Sequence, residues 1–131
     1  MENKVSKELA KHRLNQAKED LQASILLYEN ELYKSANNRA YYAIFHSIKA
    51  ALSLEPIDFK RHKDVIAYFN QHYIKAEIFP KKLGHKISVA QTTREDSDYD
   101  DEYVVSREKT QAQIETAKEL LSLIEKYIEK K

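Results

Sequence analysis

The chain has 131 residues with one glycine, two prolines and no cysteine; 42% of the residues are hydrophobic and 33% are charged. This composition predicts a single, nearly all-helical domain over residues 1–131, because strands would demand more turn residues, and it excludes disulfides. No run is apolar enough for a membrane span or a signal peptide, which predicts a cytoplasmic protein, and 22 basic against 21 acidic residues give no global charge signal for nucleic acid.

The first predicted helix covers residues 1 to about 30. Charged residues separate its apolar positions, so we expect an amphipathic helix without a functional site of its own. A second helix is predicted from 32 to 54 and ends before Pro56, because a proline disfavours helical geometry in the residue before it. The apolar positions of the first helix recur at steps of three and four residues: Leu14, Ala17, Leu21, Ile25 and Tyr28.

The second helix carries a polar stripe. Arg39 and His46 are seven positions apart, which on a helix means about 10 Å along the axis and about 20° around it. Tyr42 lies between them on the same face. These side chains either form a working site or satisfy one another inside a bundle, since buried polar groups need partners. The opposite flank is apolar and suits close helix packing: Ala36, Ala40, Ala43, Ile44, Ile48, Ala51 and Leu52.

Three further helices follow. The third is predicted from 61 to 74, and the fourth from 79 to about 94, with Pro80 in its first turn. The last begins after Ser106, a favourable N-cap, and runs almost to the end of the chain. Because every apolar stripe has a helical period, we expect an all-α fold, an antiparallel up-and-down bundle of four long helices plus a shorter one.

A basic stretch between Lys60 and Lys86 contains seven basic and two acidic residues. This stretch could bind the phosphate backbone of a nucleic acid, with its aromatic side chains stacking on bases. Alternatively, it is a solvent-exposed basic face of two amphipathic helices. A zinc site is disfavoured because the histidines are ten and thirteen residues apart and no cysteine assists them. The stretch contains three histidines and two central tyrosines: His62, His72, His85, Tyr68 and Tyr73.

An acidic stretch, EDSDYDDE, covers residues 95–102 and holds six carboxylates. It does not fit a calcium-binding loop that begins at Asp96. The glycine required at the sixth position is Asp101, and the glutamate required at the twelfth is Arg107. We therefore predict an acidic surface loop and no metal site.

The stretch from Asn38 to His46 resembles the signature helix of the HEPN superfamily (higher eukaryotes and prokaryotes nucleotide-binding). The likeness is to its small prokaryotic, UPF0332-like branch, which reads Asn-Arg-x-Tyr-Tyr-Ala-x-Phe-His. The segment HKDVIAYFNQHYIK and the R-x-x-x-D-Y of residues 94–99 are similar to further motifs of the family. The signature matches at seven positions: Asn38, Arg39, Tyr41, Tyr42, Ala43, Phe45 and His46.

The resemblance implies metal-independent cleavage of RNA by Arg39 and His46. Six residues separate the pair, the upper limit of the family motif. His46 would act as general base or acid, and Arg39 would neutralise charge that develops on the phosphorane oxygens. Either Asp98 would pair with Arg39 and orient it, or Arg94 would contact RNA phosphate. The supporting or RNA-binding residues implied in this way are Asn38, Tyr42, Arg94, Asp98 and Tyr99.

The resemblance also implies partners. One histidine cannot be acid and base at once, so a second His46 from a symmetric homodimer is an attractive supplement. The rival interpretation is a non-catalytic, nucleotide- or protein-binding helical partner of a small nucleotidyltransferase, to which many short HEPN proteins are genetically coupled. Ala40 keeps this alternative open, because active members often have a polar residue there.

A nucleotidyltransferase partner would modify a tyrosine. The toxin branch has its acceptor tyrosine two places after the histidine, where this chain has Ile48. The expected acceptor is then Tyr41, Tyr42 or Tyr99. No cofactor is implied.

Overall fold

The computed structural model describes residues 2–131, with side chains described from residue 6 onwards. The described chain forms five α-helices and no strand. The four long helices have 28, 20, 18 and 23 residues and the short third one has 8, which confirms the predicted all-α bundle. The helices are α1 Glu2–Glu29, α2 Tyr33–Leu52, α3 His62–Phe69, α4 Lys82–Tyr99 and α5 Arg107–Glu129, and a π-helical turn, Asn70–Ile74, continues α3.

Two hydrogen bonds fix the antiparallel register of α1 against α2. The Ser24 hydroxyl donates to the Ala36 carbonyl oxygen at 2.6 Å, near one end of the pair. Near the other end, Arg13 Nη1 donates to Ser53 Oγ at 2.7 Å. The middle of α1, which carries Asp20, therefore lies beside the middle of α2.

The predicted apolar flank of α2 is buried, since none of its seven residues is more than 5% exposed. Its alanines have small side chains, which let α1 and α5 pack closely against α2. Burial of this flank leaves the polar stripe on the outer face of α2. Among the described helices, none is long and apolar enough to cross a bilayer.

The structure corrects both ends of the fourth helix. α4 begins at Lys82, after Pro80, and continues past Arg94 to Tyr99. Five of the eight residues of the predicted acidic loop, 95–99, are therefore helical, and the connection to α5 spans only residues 100–106. The last turns are stabilised by an i,i+4 ion pair between Arg94 and Asp98. The prediction that Ser106 caps α5 is confirmed, because its Oγ accepts a hydrogen bond from the Lys109 amide at 3.0 Å.

Candidate active site

One carboxylate of α1 contacts both ends of the polar stripe on α2. Asp20 Oδ1 accepts a hydrogen bond from Arg39 Nη1 at 3.1 Å, and Asp20 Oδ2 lies 2.8 Å from His46 Nδ1. The Asp20 side chain is 14% exposed, that of His46 26% and that of Arg39 39%. The carboxylate is thus largely shielded, while the cation and the imidazole remain within reach of a ligand.

Contact with Asp20 determines how the His46 ring can act. A carboxylate accepts hydrogen bonds, so the Nδ1 that faces Asp20 carries the proton. In the neutral ring, Nε2 then holds the free lone pair. An oriented imidazole with its outer nitrogen free is the arrangement of a general base, and the protonated ring is the corresponding acid.

Arg39 is held by its neighbours on the helix as well. Its Nη2 donates to Asn38 Oδ1 at 3.0 Å, and its guanidinium carbon lies 4.8 Å from the centre of the Tyr42 ring. Asn38 and Tyr42, which the resemblance implied as supporting residues of the site, therefore both touch Arg39. A guanidinium has five N–H donors, so these contacts leave some for a ligand.

Helix α4 brings a second guanidinium to the same face. Arg94 Nη2 donates to Tyr42 Oη at 3.3 Å, and the Arg94 guanidinium carbon lies 5.1 Å from the centre of the Tyr41 ring. Arg94 Nε is 3.0 Å from Asp98 Oδ2, an ion-pair contact without hydrogen-bond geometry. Two cations, Arg39 and Arg94, thus flank Tyr42.

The predicted pairing of Asp98 with Arg39 is wrong, because each has another partner. Arg39 pairs with Asp20, and Asp98 pairs with Arg94. Asp98 and Arg39 do line the same cleft, of about 500 Å³, beside Arg39's neighbour Asn38. Tyr99, at the end of α4, is 90% exposed and projects into solvent rather than into the cleft.

Comparison with known proteins assigns the chain to a family. The HEPN domain family model matches residues 10–127. The chain belongs to the HEPN family. A UPF0332 protein of Thermotoga maritima is 34% identical over 113 residues, which cover 86% of both chains. A Methanocaldococcus jannaschii protein named "Putative toxin MJ0142" is 30% identical over 128 residues, covering 98% of this chain and 86% of the relative. A second protein of that organism, "Putative toxin MJ0605", is 39% identical over 83 residues, covering 63% of this chain and 62% of the relative.

In this HEPN protein the site contains two residues that sequence reasoning missed. Asp20 lies on the first helix, for which no functional residue was predicted, and it contacts the polar stripe of α2. His62, the first residue of α3, was considered only as part of the basic stretch. Its ring stacks on Phe45 with centroids 3.9 Å apart, and its Nδ1 lies 3.4 Å from Tyr41 Oη. Sequence periodicity could not predict the contacts of Asp20 or of His62 with α2, because each of them joins two separate helices.

The surroundings of the polar stripe shift the pKa values of two neighbouring side chains, His62 and Tyr41. Burial lowers the pKa of His62, and the nearby positive charges of Arg94 and Lys49 lower that pKa further, with a smaller effect of His46. Burial raises the pKa of Tyr41 to about 12, although Arg94 opposes the shift. His62 is therefore neutral and Tyr41 protonated near pH 7.

Much of the basic stretch is engaged in ion pairs on the protein surface. Arg61 Nε lies 3.0 Å from Asp64 Oδ2, while Lys86 Nζ lies 3.3 Å from Glu119 Oε1 of α5. Lys82 also contacts Glu119, so part of the local positive charge is balanced from another helix. Within the described residues, no three histidine or acidic side chains cluster in a way that could hold a metal ion.

Proposed function

We propose that this HEPN protein is a metal-independent endoribonuclease of the toxin type, with Arg39 and His46 as its reactive pair. One observation carries the proposal: Asp20 contacts both side chains, one through each carboxylate oxygen, on a face that solvent reaches. Such an arrangement preorganises an acid-base group beside a cation. Preorganised charge is the main means by which a protein stabilises a phosphoryl-transfer transition state.

The proposed reaction is transesterification within RNA. A ribose 2′-hydroxyl attacks the adjacent phosphorus, and the leaving group is the 5′-oxygen of the next nucleotide. Arg39 donates hydrogen bonds to the phosphorane oxygens, using donors that Asp20 and Asn38 do not occupy. His46 transfers a proton through Nε2. Arg94, held against Tyr42, extends the cationic surface toward the flanking phosphates.

The names of two relatives, "Putative toxin MJ0605" and "Putative toxin MJ0142", support the toxin assignment. The alternative is a non-catalytic binding partner of a small nucleotidyltransferase. The ion pair that Arg39 makes with Asp20 favours it, because a neutralised guanidinium also serves to brace two helices. Modification of Tyr42 or Tyr99 by such a partner would fit this alternative, whereas the predicted acceptor Tyr41 is only 2% exposed and would not be reached.

Cleavage in the absence of metal separates the two functions. Purified protein is incubated with mixed RNA in EDTA, beside His46→Ala at equal concentration. The endoribonuclease fragments the RNA and the variant does not. A binding module leaves the RNA intact in both reactions.

We further propose a symmetric homodimer that brings two copies of the Arg39 to His46 face into one cleft. Two faces side by side would bind a longer RNA segment than one face does, and this accounts for exposure of the pair on the outside of the bundle. Light scattering at micromolar concentration should give twice the mass of the 15.4 kDa chain. A mass of one chain at that concentration would contradict the dimer.

A further inference from the structure

Transesterification requires two proton transfers at opposite sides of phosphorus. The attacking and leaving oxygens lie roughly in line, so the base that serves one cannot also be the acid that serves the other. Each group must come within a hydrogen bond, about 2.8 Å, of its own oxygen. The reaction therefore calls for a second proton-transfer group, separated from His46 by the width of the phosphoryl group.

His62 is a candidate for this group, because it lies beside the same aromatic rings as His46. Its ring centre lies 3.9 Å from that of Phe45 and 5.9 Å from that of Tyr42. The His46 ring lies 5.7 Å and 6.0 Å from the same two aromatic rings. The two imidazoles therefore flank a shared aromatic pair. α2 supplies one of them, and the other comes from the start of α3.

We propose that His62 is the second catalytic residue of the ribonuclease, an inference that rests on the proposed function. His62 Nε2 takes the proton of the 2′-hydroxyl as the bond from the 2′-oxygen to phosphorus forms. His46, protonated and held by Asp20, gives a proton to the 5′-oxygen as its bond to phosphorus breaks. The products are a 2′,3′-cyclic phosphate and a 5′-hydroxyl end, and no water or oxidant is consumed.

Contacts on His62 suit it to the role of base. Nδ1 faces Tyr41 Oη, so in the tautomer that donates to Tyr41 the outer Nε2 holds a lone pair. Stacking on Phe45 fixes the plane of the ring. The charged and titratable groups around it are cations and phenols: Arg94 on α4, and Tyr41, Tyr42, His46 and Lys49 on α2. Burial and these cations hold the pKa of His62 below its usual value, so the ring is neutral at pH 7.

Substitution of His62 tests the proposal. His62→Gln keeps a polar group beside Tyr41 and removes the base, so we expect cleavage to fall by about 100-fold or more. The wild-type rate should rise with pH through a midpoint below about 6.5, the unperturbed pKa of histidine, as His62 loses its proton. The variant should lose this acid limb. His12→Gln, which replaces an exposed histidine of α1, should retain the wild-type rate and profile.

A substrate with sulfur in place of the 5′-oxygen assigns the two roles. A thiolate leaves without protonation, so the substrate should restore cleavage by His46→Ala but not by His62→Gln. Folded His62→Gln with the wild-type rate, or a wild-type profile without an acid limb, would overturn the role of His62 alone. The pH profile of the wild-type protein needs no variant, so it tests the proposal even if His62→Gln fails to fold. Wild-type protein that leaves RNA intact would overturn the proposed function and this role together.

Discussion

His46→Ala should lower the rate of RNA cleavage by about 100-fold or more, the scale of a positioned proton-transfer group. The side chain removed is 26% exposed and contacts the bundle through Asp20. Asp20 keeps its ion pair with Arg39 in the variant, so we expect the fold to persist. The rate is measured with a labelled RNA under single-turnover conditions, which report chemistry rather than product release.

The matched control is His12→Ala, which removes the exposed histidine of α1. Melting temperature and sizing are compared for all three proteins. If His46 only braces the bundle, its loss lowers the melting temperature and there is no EDTA-resistant cleavage to lose. Wild-type cleavage by folded His46→Ala would rule out the catalytic role.

Arg39→Lys should also reduce cleavage by about 100-fold, because loss of one preorganised donor to a developing oxyanion commonly costs 10²–10³. Lysine keeps the positive charge and can still pair with Asp20. It loses the planar fork that donates to Asp20 and to Asn38 and that, in the proposed mechanism, donates to phosphate as well. The measurement is the single-turnover rate at saturating RNA.

Arg107→Lys is the matched control for this change. Arg107 lies at the start of α5, where its Nε donates to Tyr28 Oη on an exposed part of the bundle. It should cleave RNA like the wild type. If Arg39→Lys also cleaves RNA like the wild type, the site needs only a positive charge, and the proposed donation from the planar guanidinium to the phosphorane oxygens is disproved.

Sequence periodicity was sufficient to predict the helices and the buried flank of α2. Ile44 and Ile48 repeat at the helical spacing, and burial of one face of an amphipathic helix follows from that spacing wherever the neighbours lie. The same regularity put Arg39, Tyr42 and His46 on one outer face. These properties are local, so a single sequence contains them.

The partners of those residues depend on tertiary register and were not predictable in the same way. Asp20 is one of many acidic residues on an amphipathic helix, and only the antiparallel packing of α1 on α2 selects it. His62 reaches Phe45 because the chain after α2 folds back. The run of acidic residues from 95 to 102 predicted a loop, so the predicted end of α4 was too early. In the structure, Asp98 is helical and forms an i,i+4 ion pair with Arg94.

Analysis of RNA ends after cleavage in EDTA tests the central claim most directly. Wild-type protein and His46→Ala are incubated with one defined RNA, and the termini of the fragments are identified by mass spectrometry. We expect fragments that end in a 2′,3′-cyclic phosphate and begin with a 5′-hydroxyl, formed by the wild type and not by the variant. Intact RNA, or cleavage that EDTA abolishes, would contradict it.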